Sequence, residues 1–116
     1  MTQRRSGSVI SVVCDGWWEQ DGYGRQPMQN LRLQFDGNSV QGQGCDVVGA
    51  FTLRGTVDGA VVTLTKQYIG AHAVSYIGTF DGEGTYRGRW AILGFGGDWM
   101  IQVKSADGEL TEILPA

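Results

Sequence analysis

Cys45 and Asp46 stand side by side, and His72 is the only histidine of the chain. As chemistry, the three are a thiol nucleophile, an orienting carboxylate and a base. No surrounding motif supports that reading, so no catalytic residue is assigned and no enzymatic activity is expected. Cys14, Cys45 and His72 lack the paired ligand spacing of a zinc site, so no metal and no cofactor is expected either. Gly42-Gln43-Gly44 has the look of a phosphate loop, but no helix follows it, and it reads as strand and turn. A pair of carboxylates for glycoside hydrolysis would have to come from Asp15, Glu19 or Asp46, whose separation a sequence does not fix.

Lys66 is more informative. It shares an alternating face with Val62, Leu64 and Tyr68. A buried ammonium costs several kcal/mol unless it is paired. Lys66 therefore either meets a carboxylate, with Asp46 and Glu19 as candidates, or faces a cavity filled by water or ligand. Tyr68, Tyr76, Tyr86, Trp90 and Trp99 add aromatic walls with polar tips, a mixture that suits a small organic ligand. An internal salt bridge in a filled interior would use the same residues.

The elements that position these groups follow from composition and periodicity. The 116 residues include 19 glycines and two prolines, against a glycine average of roughly 7%. The longest glycine-free run, Arg25 to Asp36, contains Pro27, which leaves little room for helices. The length is one domain, residues 1–116, with residues 1–7 expected to be a disordered tail. Nine Lys and Arg against twelve Asp and Glu leave no basic excess, so no nucleic-acid partner is expected. No apolar run is long enough to span a membrane as a helix. Arg4-Arg5 and the apolar residues up to Cys14 faintly suggest an export signal, but Ser8 and Ser11 interrupt them, and a first β-strand is the plainer reading. Two cysteines make no disulfide framework; reduced thiols in a soluble, cytoplasmic protein are expected.

Asp-Gly recurs at 15-16, 21-22, 36-37, 58-59, 81-82 and 107-108. Between alternating segments it signals hairpins, through type I′ turns with positive φ at both central residues. Alternation of period two is found over 28–35, 48–57, 61–68, 72–80, 85–93 and 97–103. A first strand within 8–20, kinked at Gly16, and a short one over 39–44 bring the total to eight. Eight sequential strands with local turns predict an all-β, single eight-stranded antiparallel up-and-down barrel, since closure removes exposed edges. A two-sheet sandwich is second, for want of a long crossover. Gly49, Gly55, Gly78 and Gly88 fall on inward faces, as expected of sharply bent strands.

Strict alternation puts the turns at 36, 58 and 81 at one end. The opposite end then carries Asp21 to Pro27, Gly44 to Asp46, Ile69 to His72, and Gly94 to Gly97. Loops on a rigid scaffold commonly hold binding sites, so this end is read as an open mouth. Both ends plugged is the alternative, because a barrel of this width is either filled by side chains or holds one small ligand. The same parity places Trp18, Met100 and Leu93 outside, where a cluster would mark an oligomer or partner surface.

Asp15-Gly16-Trp17-Trp18-Glu19-Gln20-Asp21-Gly22 resembles the opening of the avidin and streptavidin group. Tyr76-Ile77-Gly78-Thr79-Phe80 followed by Gly88-Arg89-Trp90 is similar to that group's late strands. The residues that hold biotin there have no counterparts here, so the resemblance implies a streptavidin-like, calycin-type barrel and not biotin binding. The chain also resembles a domain of unknown function with the pattern Gly-x-Gly-x-Asp-x-x-Gly-x-Phe, Lys-x-Tyr-x-Gly-x-His-x-Val-x-Tyr-x-Gly and Gly-x-Trp. Here these run from Gly42 to Phe51, from Lys66 to Gly78, and from Gly88 to Trp90. That resemblance supports positions and implies no activity.

The expected function is therefore a non-enzymatic barrel that binds a small polar or anionic ligand at one mouth, through Asp46, Lys66, Tyr68, His72, Tyr76 and Trp90. The alternative is a structural or protein-interaction module with a filled barrel and no ligand. Either reading leaves room for a homo-oligomer.

Overall fold

The structure, a computed structural model, describes residues 9–106. The tail expected over 1–7 and the Asp-Gly at 107-108 lie outside the described residues. The strands are β1 (Val9–Glu19), β2 (Arg25–Asp36), β3 (Ser39–Cys45), β4 (Ala50–Asp58), β5 (Val61–Tyr68), β6 (Ala73–Phe80), β7 (Thr85–Ile92) and β8 (Phe95–Ala106). Each pairs antiparallel with the next, and β1 pairs with β8, so the sheet closes into an up-and-down barrel. Among the described residues no helix is long and apolar enough to cross a membrane.

Alternation builds the interior. On β5, Val62, Leu64, Lys66 and Tyr68 are buried while their neighbours are exposed. On β8, Trp99 and Ile101 point inward, and on β2, Leu31 and Leu33 do. Apolar area removed from water stabilises by roughly 25 cal/mol per Å², and these side chains supply it from every strand. Space is tight where β6 meets β7. Gly78 pairs with Gly88, and a Cβ on either would collide with a backbone carbonyl of the facing strand, that of Arg87 or Ile77. Two strands can approach this closely only when both residues lack side chains. Gly49, expected on an inward strand face, instead lies in the β3–β4 loop, because β4 begins at Ala50.

The two ends differ. At one, Gly37-Asn38 and Gly59-Ala60 close two-residue hairpins, and Gly82 lies in the β6–β7 connection. Phe35 and Phe80 stack on Tyr86 at 6.0 and 4.4 Å between centroids and close the interior beneath these turns. The expected type I′ geometry is not what these Asp-Gly pairs adopt. Asp36 and Asp58 still belong to the strands, and Gly37 and Gly59 have positive φ while the residues after them do not. Positive φ at the first loop position alone is the mark of type II′. Asp15-Gly16 makes no turn; it lies inside β1, where the pairing with β2 slips between Cys14 and Gly16.

The opposite end carries the loops 20–24, 46–49, 69–72 and 93–94. The last is shorter than expected, because β8 already begins at Phe95. Here positive φ occurs at both loop positions, Leu93 at 46° and Gly94 at 85°. A leucine in the left-handed region costs roughly 1–2 kcal/mol, and this one is 90% exposed, so no burial offsets it.

Candidate functional site

Asp46 is the first residue after β3, and its own loop fixes its side chain. Its Oδ1 accepts from the Val48 amide at 2.9 Å and the Gly49 amide at 3.4 Å, and its amide donates to the Gly49 carbonyl. This Asx-type turn aims the carboxylate inward. There Oδ2 accepts from Lys66 Nζ at 2.6 Å, from the Tyr68 hydroxyl at 2.7 Å and from Trp18 Nε1 at 3.1 Å. The side chains of Lys66 and Asp46 are 1% and 0% exposed, so the charge pair is wholly desolvated.

The partners come from different strands. Lys66 and Tyr68 sit two apart on the inward face of β5, which brings both to one carboxylate. Trp18 reaches it from β1, and Tyr76 joins from β6 through Lys66. Lys66 also donates to the Tyr76 hydroxyl at 3.1 Å. The ammonium lies 4.3 Å from the Phe51 ring centroid and 4.8 Å from that of Tyr68. Aromatic faces attract a cation in such positions and replace part of its lost hydration.

These contacts set the protonation states. Burial alone would raise the Asp46 carboxyl, but the bonds from Lys66 and Tyr68, the Lys66 charge and the Val48 amide outweigh it and hold it below the usual carboxylate range. Burial pulls Lys66 below the ordinary lysine range, and Asp46 opposes that only in part. Tyr68 and Tyr76 are raised, chiefly by burial and then by Asp46, and stay neutral phenols. A carboxyl lowered on folding adds stability that is complete above its unfolded value and drains away as pH falls through the folded one.

Beside this network lies a cavity of about 250 Å³ that opens at the loop-bearing mouth. Ligand pockets of roughly 300–1,000 Å³ are usual, so this one suits a small molecule. Tyr68, Tyr76, Trp18 and Trp90 form aromatic walls, Val48, Val74 and Ile92 aliphatic ones, and Gln20, His72 and Phe95 also contribute. Trp18 and Trp90 meet edge to face at 5.8 Å. The Trp90 indole donates to the Glu19 carbonyl at 2.9 Å, so both cavity tryptophans have committed their N–H groups.

The structure brings Asp46, Lys66, Tyr68 and Tyr76 into one network and places Tyr68, Tyr76, His72 and Trp90 on the cavity. Lys66 and Asp46 lie behind the wall. His72 is exposed at the mouth, its ring 5.0 Å from that of Tyr68. Of the carboxylates weighed for Lys66, Asp46 is the partner; Glu19 pairs with Arg25. The Cys45, Asp46 and His72 set does not assemble. Both Asp46 oxygens serve other donors, and Cys45 Sγ lies against Asn30 and the Gln29 carbonyl. Both cysteines are free thiols, and burial, helped by Asp15, pushes Cys14 up to about 12. Among the described residues no three metal-binding side chains cluster.

Trp18 corrects an expectation. It was placed outside, yet Val12, Cys14 and Gly16 are buried on one face of β1, and Trp18 continues it inward to Asp46. Trp17 takes the outer face, with Arg25 over its ring at 3.6 Å. The even-numbered alternation was the available signal. Phe95 shares the odd-numbered inward face of Trp99 and Ile101 and pairs with Ile92, whereas Gln20 and Val48 lie in loops and carry no such signal.

No protein-family model, no curated protein and no solved structure matches this chain.

Breaking the pair from either side is expected to be severe. Lys66→Met and Asp46→Asn should each lower unfolding stability by about 3–5 kcal/mol, whereas Lys66→Met with Asp46→Leu should recover much of that loss. Urea unfolding of the three variants measures it. Single losses below about 1 kcal/mol, the range of exposed pairs, would show that the network is not sealed.

Proposed function

We propose that this is a non-enzymatic barrel that binds one small organic molecule in the cavity at its open mouth. The observation that carries the reading is the contrast between the two ends. One is closed by the Phe35, Tyr86 and Phe80 stack, and the other opens onto an aromatic cavity of about 250 Å³. Aromatic walls with a few polar groups are the usual make-up of a small-molecule site. The streptavidin-like, calycin-type resemblance belongs to this proposal as support for a ligand-holding barrel, and it brings no ligand identity with it.

Of the polar and anionic ligands expected, the proposal favours the uncharged kind. Lys66 and Asp46 neutralise each other, and Lys66 spends two of its protons on Asp46 and Tyr76. An anion entering the cavity would give up its hydration and meet no uncommitted ammonium in the wall. Titration with a panel of small neutral and anionic aromatics, followed through tryptophan fluorescence, tests the reading. Saturable one-to-one binding is expected, and Ile92→Trp, which fills the mouth, should weaken it at least tenfold. A panel with no binder, or binding indifferent to Ile92→Trp, would overturn it.

An interaction module is the second reading, and one feature favours it. Tyr23, Val47, Ile69, Leu93 and Phe95 are exposed apolar side chains on or beside the four mouth loops. Leu93 holds left-handed backbone that asparagine adopts more readily. On this reading the protein self-associates through the mouth. Leu93→Asn should then raise stability by about 1 kcal/mol while abolishing association in light scattering. A wild type that is monomeric at every concentration would remove this reading.

A further inference from the structure

The donors and acceptors around the cavity name a ligand class, an inference that rests on the cavity being a binding site. Asp46 is saturated, since Oδ2 accepts from Lys66, Tyr68 and Trp18, and Oδ1 from two backbone amides. The indole N–H groups of Trp18 and Trp90 are committed, and the Tyr68 hydroxyl donates its hydrogen bond to Asp46. Tyr76 differs. Its oxygen accepts from Lys66, and no acceptor among the described residues takes its hydroxyl proton.

Tyr76 is 2% exposed and forms part of the cavity wall. A buried donor left unmatched is unfavourable, which makes it a strong selector for whatever can satisfy it. Trp99 Nε1 is a second buried donor without a partner among the described residues, but Trp99 lies tilted against Tyr76 at 5.2 Å and does not line the cavity. Tyr76 is thus the buried donor on the cavity wall, with Gln20 and His72 as further donor-bearing side chains toward the mouth.

We propose that the cavity selects a flat, uncharged aromatic molecule bearing a carbonyl or ring-nitrogen acceptor, seated against Trp18 and Trp90 with that acceptor on the Tyr76 hydroxyl. Trp18 and Trp90 stand at 89° to each other, so a planar body can stack on one ring and meet the other edge-on. The hydroxyl favours an acceptor. The closed Asp46 and Lys66 pair favours neutrality.

Three fused-ring probes separate these terms: coumarin, which carries a carbonyl; naphthalene, which has none; and 2-naphthoate, which is charged. Calorimetry on the full chain should rank coumarin about tenfold tighter than naphthalene, with 2-naphthoate weakest. Tyr76→Phe should reduce coumarin to the level of naphthalene and leave naphthalene unchanged. Because that substitution also removes a partner of Lys66, a second measurement uses the wild type alone. The infrared carbonyl stretch of bound coumarin should fall relative to its position in an apolar solvent. Equal binding of coumarin and naphthalene, a preference for 2-naphthoate, or an unshifted carbonyl would overturn the Tyr76 assignment and leave the cavity as a site. Failure of all three probes to bind would overturn both this inference and the ligand-binding reading beneath it.

Discussion

One ammonium inside a tube organises this molecule. Lys66 lies on an inward face where the same strand elsewhere places valine, leucine and tyrosine. A charge there is tolerable only when its partner is close and its remaining protons have somewhere to go. Asp46 meets the first condition at 2.6 Å, and Tyr76 with the surrounding rings meets the second. Asp46 in turn is held by the turn that joins β3 to β4. The pair therefore ties a mouth loop to the interior, and Trp18 and Tyr68 join β1 and β5 to the same oxygen.

That arrangement separates two roles that the sequence runs together. The charged groups supply architecture and neutralise each other behind the wall. The cavity wall is mostly phenols, indoles and aliphatic side chains, with Gln20, His72 and Phe95 beside them. Stacked aromatics stand at one end of the barrel, and the cavity opens at the other. The mouth loops add exposed apolar side chains around that entrance, and among them Leu93 takes the left-handed backbone that the two-residue β7–β8 turn imposes.

Much of the fold was legible in the residues. Period-two alternation over Val61 to Tyr68 and Thr85 to Leu93 set the strands and their inward faces, and the repeated Asp-Gly pairs located the turns of the closed end. Lys66 on an apolar face announced a buried partner, and Asp46 was among the candidates. Other features were not legible, for physical reasons. The turn type depends on whether Asp or Gly is the first loop residue, which the pairing register decides. The side taken by Trp18 is ambiguous in the sequence because two adjacent tryptophans stand at the strand's mouth end and the ladder slips nearby, between Cys14 and Gly16. Gln20 and Val48 reach the cavity from loops, which no local pattern encodes.

The most direct measurement is a pH titration of the Asp46 side-chain carboxyl carbon by NMR in the folded protein. A carboxylate that accepts from Lys66, Tyr68, Trp18 and two amides should remain ionised at pH values where an ordinary aspartate has taken up its proton. A midpoint at or above the ordinary aspartate value would mean that the carboxylate is not held by those donors, and the interior organisation described above would not stand.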